Sequence, residues 1–225
     1  ASVGRELFVT NGTAAGTKRI ADLATGSESS APGELVRLAN GSAVFAAASG
    51  PTGRELFRTD GTSAGTRLVQ DLDPFASTRS ASPQNPAGTE NDVYVGATDS
   101  ISGWEPWRVG PGGAQRLADI APGPASSRPA GFTGFFDGQK TQVLFSAWSP
   151  TLGSEPWISD GTPQGTRNLR DIGTGTIDSF PREFTALSGR ALFTVTNELW
   201  ATDGTTANTK LLTGMPVRLA SQLHA

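Results

Sequence analysis

Residue types that carry much of enzyme chemistry are scarce in this 225-residue sequence, which has no cysteine, one histidine and one tyrosine. Without cysteine the chain has no disulfide, no thiol nucleophile and no Cys-ligated zinc site. With His224 as the single histidine, a Ser-His-Asp or Cys-His site is disfavoured and a His-rich zinc site is excluded. A sialidase would need a tyrosine as its nucleophile, and the single tyrosine, Tyr94, lies in an apolar strand-like segment, which disfavours that role. We therefore predict no enzymatic activity, no cofactor and no metal.

Long apolar runs and excess basic charge are missing as well. No run approaches the roughly 20 residues that a membrane-spanning helix needs, so we predict no membrane span. The net charge of −3 argues against a nucleic-acid partner, which would require a basic face. The 28 glycines and 15 prolines are typical of many short strands joined by tight turns. The chain begins Ala1-Ser2, which fits removal of a signal peptide and fits a trimmed chain equally well.

What the sequence does contain is one eight-residue pattern in five copies. The copies are ELFVTNGT (6–13), ELFRTDGT (55–62), EPWRVGPG (105–112), EPWISDGT (155–162) and ELWATDGT (198–205). The glutamates that open them are 49, 50, 50 and 43 residues apart. A period of about 40–50 residues made of strand-like segments is typical of β-propeller blades.

Each period contains four strand-like segments, named a to d in chain order, as a propeller blade requires. The predicted inner strands a are 34–39, 86–91, 130–136, 182–188 and 216–220, and the predicted strands b are 43–48, 92–97, 142–148 and 190–196. A c–d hairpin begins at each glutamate. The predicted fold is therefore all-β: a single five-bladed β-propeller domain of four-stranded antiparallel blades over residues 1–225.

The two ends of the chain complement each other. Residues 1–24 supply a c–d hairpin that no a or b strand precedes, and PVRLA (216–220) matches the a strand LVRLA (35–39). We predict that the ring closes by pairing of the N-terminal hairpin with the C-terminal strand, so that 1–24 and 214–225 share one blade. Only SQLHA follows that strand. The shared blade is therefore three-stranded, continued by a longer native chain, or completed by another chain.

The repeat resembles the bacterial ELWxxDGT repeat family. The match is close for ELFRTDGTSAGTRLVQDL (55–72), 6–23 and 155–172; 198–212 has Asn208 in place of a glycine, and 105–120 is degenerate, with Gly110 in place of the aspartate. The resemblance implies an exported bacterial protein at the cell surface or outside the cell. It implies no enzymatic activity, and the family has no defined function to carry over.

The residues that recur once per blade are predicted to be structural. One aromatic per blade is expected to pack between blades, and Asp-Gly pairs are expected to make the turns. Calcium binding by the aspartates is a weaker alternative, since no D-x-D-x-D-G loop is present. These residues are Phe8, Phe57, Trp107, Trp157 and Trp200 for the aromatics and Asp60, Asp160 and Asp203 for the turns.

The recurring glutamates allow two interpretations. A structural ion pair or a link from the carboxylate to the backbone is favoured, because a basic residue follows twelve positions later in four repeats, at Lys18, Arg67, Arg167 and Lys210. The alternative is a ring of equivalent ligand sites. The glutamates are Glu6, Glu55, Glu105, Glu155 and Glu198.

Residues that depart from the repeat are the candidates for function. Trp104 stands where other repeats have Arg5, Arg54, Ser154 and Asn197, and Trp148 stands where they have Ala48, Ala97 and Thr196. Both flank b–c loops of adjacent blades, so they should lie on one rim. An exposed tryptophan there suits stacking on a sugar or anchoring a protein partner; the alternative is that each covers the edge of its own hairpin. The loop aromatics Phe75 and Phe180 are expected to plug gaps between blades.

Two classes of function follow. The favoured hypothesis is a non-enzymatic extracellular binding module that recognises a glycan or a protein partner through the propeller rim. The alternative is a structural or accessory subunit of a surface assembly, which the incomplete closing blade would favour. A glycan-active hydrolase is a remote third possibility, because no pair of carboxylates stands out among the 21 acidic residues.

Overall fold

The structure, a computed structural model, describes residues 4–33, 35–50, 52–73 and 80–212. All the regular structure in these ranges is β, and within them no helix could span a membrane. The strands are β1 (Leu7–Val9), β2 (Lys18–Ala21), β3 (Val36–Arg37), β4 (Ala43–Ser49), β5 (Gly53–Thr59), β6 (Arg67–Gln70), β7 (Gln84–Gly88), β8 (Val93–Ala97), β9 (Glu105–Gly110), β10 (Gly113–Arg116), β11 (Ala130–Phe136), β12 (Thr141–Ser149), β13 (Gly153–Ser159), β14 (Arg167–Asn168), β15 (Pro181–Leu187), β16 (Arg190–Val195), β17 (Glu198–Thr202) and β18 (Lys210–Leu211).

The strands form five antiparallel sheets in chain order. The first sheet has two strands, β1 and β2. The second to fifth sheets have four strands each, paired in sequence order: β3 to β6, β7 to β10, β11 to β14 and β15 to β18. The all-β fold and its four-stranded antiparallel units are therefore confirmed.

The repeated Asp-Gly-Thr turn explains why the hairpins between the third and fourth strands look alike. In the second sheet Asp60 Oδ1 accepts hydrogen bonds from the amide (2.9 Å) and hydroxyl (2.7 Å) of Thr62, and Gly61 takes a φ of 87° that favours glycine. A Cβ at Gly65 would lie 2.0 Å from Asp60 Oδ1, which explains the second glycine of the pattern. Asp160 and Asp203 make the same contacts, so the predicted turn role is confirmed.

Apolar side chains pack between consecutive sheets rather than within one central core. Four clusters join the first sheet to the second, the second to the third, the third to the fourth and the fourth to the fifth; their most buried members include Phe45, Val93, Phe145 and Phe193. The first strands of neighbouring four-stranded sheets also touch, β3 with β7, β7 with β11 and β11 with β15. The sheets therefore follow one another around an inner edge, as blades do.

One detail of the predicted architecture differs. Phe57 and Trp107 are buried and Trp157 and Trp200 half-buried, as packing between blades requires, but Phe8 is 49% exposed. Within the described ranges β1 pairs only with β2, so no first or second strand of its own sheet covers Phe8. The predicted closing strand 216–220 lies outside the described residues, as do His224 and Phe75.

Candidate functional site

Four of the recurring glutamates hold the loop that leads to the next sheet. Glu155 Oε2 accepts bonds from the Ile172 amide (2.8 Å) and the Ser179 hydroxyl (2.8 Å), and Oε1 accepts from the amides of Gly173 (3.0 Å) and Ser179 (3.2 Å). Glu105 holds Ile120, Ala121 and Ser127 in the same way. We call this arrangement the glutamate clamp.

The clamp recurs at Glu6 and Glu55, with one difference. Glu6 accepts bonds from Leu23 and from both the amide and the hydroxyl of Ser30. Glu55 accepts only the amides of Leu72 (3.2 Å) and Ala81 (2.8 Å), because alanine replaces the serine. The link from glutamate to backbone is therefore confirmed for these four repeats, whereas Glu198 is exposed.

Burial and hydrogen bonds set the acidity of the clamps. Burial raises the pKa of Glu55 to about 7, and it also raises the pKa of Glu105 and of Glu155. Burial works in the same direction at Glu6, but the bonds from Ser30, Leu23 and Ala24 outweigh it and lower the pKa of that carboxyl. Glu55, which lacks the serine donor, is therefore the clamp that gains a proton most readily.

The predicted ion pairs between these glutamates and the downstream basic residues are wrong. No glutamate forms an ion pair in the ranges that the structure covers. The basic residues lie on the last strand of each sheet, opposite the far end of the glutamate's own strand, as in the pair Ile158–Arg167. Arg167 Nη2 instead donates to the carbonyl of Gly204 in the next sheet at 2.9 Å.

The clamped loops and the turns between second and third strands lie on one face of the molecule, because both join strands at the same end of the sheets. The clamped serines on either side of the fourth sheet have exposed neighbours. In the loop before the fourth sheet that neighbour is Arg128, and in the loop after it the neighbours are Asp178 and Phe180. The backbone carbonyls of Trp104 and Ser154 anchor these loops by accepting bonds from Ser127 (2.9 Å) and Ser179 (3.0 Å).

Trp104 and Trp148 both lie on this face, in adjacent sheets, as the sequence predicts, but both are half-buried rather than exposed. Trp104 lines a cavity of about 120 Å³ over the third sheet, together with Asn85, Arg128 and Pro129. Its buried Nε1 has no hydrogen-bond partner among the described residues. Trp104 thus borders a small cavity over its own sheet, whereas Trp148 faces a larger opening.

That opening is a cleft over the fourth sheet with a volume of about 650 Å³. We call it the Trp148 cleft. Its walls come from the two clamped loops, 124–128 and 178–180, and its floor from the directly paired residues Trp148 and Ser154. Phe180 is 57% exposed and so does not plug a gap between blades, contrary to expectation.

The same groove over the second sheet is filled by the protein itself. Arg54, at the position of Ser154, donates from Nη1 to the Ala31 carbonyl (2.9 Å) and from Nη2 to the Ala46 carbonyl (3.2 Å). Its cross-strand neighbour is Ala48, at the position of Trp148. Compared with the second sheet, the fourth sheet therefore has the short side chain of Ser154 in place of Arg54. At the neighbouring position it has Trp148 in place of Ala48.

The cleft offers one cation, one carboxylate and two aromatic rings. The Arg128 side chain is exposed and makes no hydrogen bond or ion pair within the described ranges. Asp178 Oδ1 is engaged, since it accepts the Ser154 amide at 2.6 Å. Sequence reasoning missed Arg128 and gave Phe180 a packing role; the signal was their position, held by Ala31 and Ser82 after the other clamped residues.

The strained backbone conformation of Arg128 is not specific to the cleft. Its φ of 49° lies in the left-handed region, but Ala31, Ser82 and Phe180 share that conformation at the same repeat position. The conformation therefore belongs to the clamp and is part of every loop. In the described part of the chain no group of three His, Asp or Glu side chains is arranged to hold a metal ion.

No protein-family model matches the sequence, and no curated protein matches it. A gluconolactonase from Xanthomonas campestris is similar in structure over 95% of this chain and 69% of its own, with 15% identity and a TM-score of 0.49. TolB from Acinetobacter baumannii is similar over 88% of this chain and 46% of its own, with 16% identity and a TM-score of 0.46. A puromycin-hydrolyzing peptidase from Mycobacterium tuberculosis covers 88% and 30%, with 14% identity and a TM-score of 0.48.

These comparisons contradict the prediction of a non-enzymatic extracellular binding module for a glycan or a protein. Hydrolases are among the proteins that this chain resembles, so the fold lends no support to a role that excludes catalysis. At these identities and TM-scores the likeness carries no activity over to this chain. Its function has to be argued from its own site.

Proposed function

We propose that this protein binds a small organic anion with a planar apolar part in the Trp148 cleft. One observation carries the proposal: four residues at variable positions of the repeat meet in the cleft over the fourth sheet. They are Arg128, Trp148, Ser154 and Phe180, and they come from two loops and two strands. A cleft of about 650 Å³ lies within the range of small-molecule sites, roughly 300–1,000 Å³.

Arg128 selects the charge of the ligand. A guanidinium presents its donors in a planar fork that matches carboxylate and phosphate oxygens. Because this guanidinium is exposed and without a partner among the described residues, a ligand carboxylate displaces only water. The clamp of Glu105 holds Ser127, the residue next to Arg128, so the cation is presented from an ordered loop.

Trp148 and Phe180 select the planar part. Trp148 lines the cleft from the sheet and Phe180 lines it from the far loop, so both offer rings against which a flat apolar group can pack. Burying such a group gains about 25 cal/mol per Å² of apolar surface removed from water. Ser126 and Ser154 add hydroxyls that can hydrogen-bond polar substituents of the ligand.

Titration with 2-naphthoate, followed by calorimetry and tryptophan fluorescence, tests the proposal. We expect binding that Arg128→Ala and Trp148→Ala each weaken at least tenfold, and much weaker binding of uncharged 2-naphthol. Arg37→Ala and Phe136→Ala, which change exposed residues outside the cleft, are the matched controls and should bind as the wild type does. Absence of binding, or equal binding by all four variants, would disprove the proposal.

We also propose that the five sheets close into a ring, with 216–220 as the strand that pairs with β1. Three features support this proposal: the two-stranded first sheet, the exposure of Phe8, and the match of 216–220 to 35–39. Deleting 213–225 should then lower the melting temperature by several degrees, whereas an unchanged melting temperature would refute closure. From the resemblance to ELWxxDGT repeats we further propose an exported protein, which cell fractionation can test.

A further inference from the structure

The opposite face of the molecule carries a second unusual feature, at the turn of the third sheet. In the second, fourth and fifth sheets the turn between the last two strands spans 60–66, 160–166 and 203–209. In the third sheet it is reduced to Pro111 and Gly112, between β9 and β10. The space that a long turn would occupy beside the second sheet is therefore open.

Long turns accept hydrogen bonds from the preceding sheet. Arg108 of the third sheet donates to the Gly161 carbonyl at 3.4 Å, and Arg167 of the fourth donates to the Gly204 carbonyl at 2.9 Å. The second sheet faces the shortened turn, and its basic residues Arg58 and Arg67 have no such acceptor among the described residues. Only Arg58 Nε is engaged, with the Ser42 hydroxyl at 3.1 Å.

Arg58 and Arg67 are also directly opposite each other on neighbouring strands. Like charges in this position destabilise a sheet unless a counter-charge joins them. The corresponding pairs elsewhere hold at most one basic residue: Val9–Lys18, Arg108–Gln115, Ile158–Arg167 and Ala201–Lys210. The pair of directly opposed arginines therefore lies in the sheet that faces the one shortened turn among the described hairpins.

Both arginines line a cavity of about 70 Å³ between the second and third sheets. Asn91 adds an amide, the backbone at Gly110–Gly113 borders the opening, and Val44, Leu68 and Val109 are among the apolar walls. Two carboxylates lie near. The bonds from Thr62, and to a lesser degree the charge of Arg67, lower the pKa of Asp60, and Asp92 is paired with Arg108 at 2.9 Å; within the described ranges neither carboxylate forms an ion pair with Arg58 or Arg67.

We infer that this cavity is a binding site for a phosphate group, bridged between the guanidinium groups of Arg58 and Arg67. A phosphate oxyanion supplies the acceptors that the shortened turn no longer provides, and arginine forks match its oxygens. The group can belong to inorganic phosphate or to a phosphate ester. The inference is independent of the Trp148 cleft, which lies on the other face.

The test is calorimetry with inorganic phosphate and with phenyl phosphate at constant ionic strength, with chloride as reference. We expect binding that Arg58→Gln and Arg67→Gln each weaken at least tenfold, while Arg37→Gln leaves it unchanged. Phenyl phosphate binding in the same pattern would assign the site to phosphate esters, and binding of inorganic phosphate only would assign it to the free anion. No binding by the wild type, or binding unaffected by both variants, would overturn the inference.

A second variant tests the geometry without touching either arginine. Replacing Pro111 and Gly112 with a copy of residues 160–166 restores a long turn next to the second sheet. The restored turn should cover the cavity, offer its carbonyls to the arginines, and abolish phosphate binding while the melting temperature holds or rises. Unchanged phosphate affinity in this folded variant would show that the shortened turn is irrelevant and would refute the site.

Discussion

The second and fourth sheets are two versions of one unit, and they differ in what occupies the groove on the clamped face. Over the second sheet Arg54 crosses the groove and bonds to two carbonyls, with Ala48 beside it. Over the fourth sheet Ser154 leaves the groove open and Trp148 forms its floor. The strand order and the loop conformation are shared, and the glutamate clamp recurs in both sheets, with alanine in place of serine in the second.

The comparison separates what the two sheets share, which we call the frame, from the side chains that occupy the groove, which we call its contents. The frame depends on the glutamate, whose carboxylate holds the backbone of the next loop. The contents depend on two cross-strand positions, 48/54 in one sheet and 148/154 in the other. Because the side chains at these positions make no hydrogen bond to the clamping carboxylates, a repeat can exchange a closed groove for an open one without losing its fold. The following changes test that separation.

Breaking the frame should have the largest effect. Glu155→Ala leaves the half-buried amides of Ile172 and Gly173 without their acceptor and removes one of the two acceptors of Ser179, and we expect a loss of about 3 kcal/mol in the free energy of unfolding. Urea denaturation measures it. Glu28→Ala, a change of an exposed glutamate, is the control and should shift stability by less than about 0.5 kcal/mol. Equal effects of the two changes would contradict the clamp.

Emptying the closed groove should have the next largest effect. Arg54→Ser removes the donors to Ala31 and Ala46, and we expect a loss of about 2 kcal/mol, since two partly buried carbonyls lose their charged partner. Thermal and urea denaturation report the change, with Arg37→Ser as the exposed control. If Arg54→Ser left stability unchanged, the guanidinium would not be holding the groove closed.

Filling the open groove should affect binding more than stability. Ser154→Arg copies the second sheet and places a guanidinium in the Trp148 cleft. We expect 2-naphthoate affinity to fall at least tenfold, which is about 1.4 kcal/mol, with a melting temperature near that of the wild type. Ser126→Thr, a smaller change at the wall, is the control. Retained affinity in Ser154→Arg would place the ligand elsewhere.

The smallest effect concerns the acidity of the second-sheet clamp. Because the pKa of Glu55 is raised from an ordinary value of 4.5 to about 7, its contribution to stability is full below pH 4.5 and is lost as the pH rises through 7. Ala81→Ser adds the hydroxyl donor of the other clamps and should lower that pKa. We expect a gain of about 1 kcal/mol at pH 8 and little change at pH 4.

Unfolding measured across this pH range checks the direction. The reverse change, Ser179→Ala, is the matched variant, because it removes the hydroxyl from the Glu155 clamp and should raise the pKa of that carboxyl further. Stability should then fall more steeply with rising pH than in the wild type. A pH dependence that is the same in all three proteins would contradict the role of the serine.

Most of the frame could be read from the sequence. The spacing of the glutamates predicts the sheets, and the second strands at 43–48 and 142–148 agree with β4 and β12 to within a residue at each end. Asp60-Gly61-Thr62 predicts its turn, because Asp and Gly act on their own backbone. The clamp was only one of two options, since its partners lie 15 to 26 residues away from the glutamate, across a loop without a pattern of its own.

The candidate sites were less predictable. Trp148 stands out as a departure from the repeat, but Arg128 looks like an ordinary loop residue and Phe180 like a packing residue until the clamp places them beside Trp148. Arg58 and Arg67 look like surface cations until β5 and β6 set them opposite each other and the shortened turn exposes them. Each case depends on which residues of different repeats meet, and periodicity within one repeat does not contain that information.

The sequence by itself determined the repeating unit of this protein: its strands, its turns, and the positions that recur once per sheet. These features arise from interactions a few residues apart, in which side-chain chemistry and backbone conformation act locally. Only the tertiary structure decided whether a groove is filled by Arg54 or left open over Trp148. It also decided that Arg58 and Arg67 meet beside the shortened turn of the third sheet. Those outcomes depend on packing between consecutive sheets, where residues distant in the chain compete for the same space.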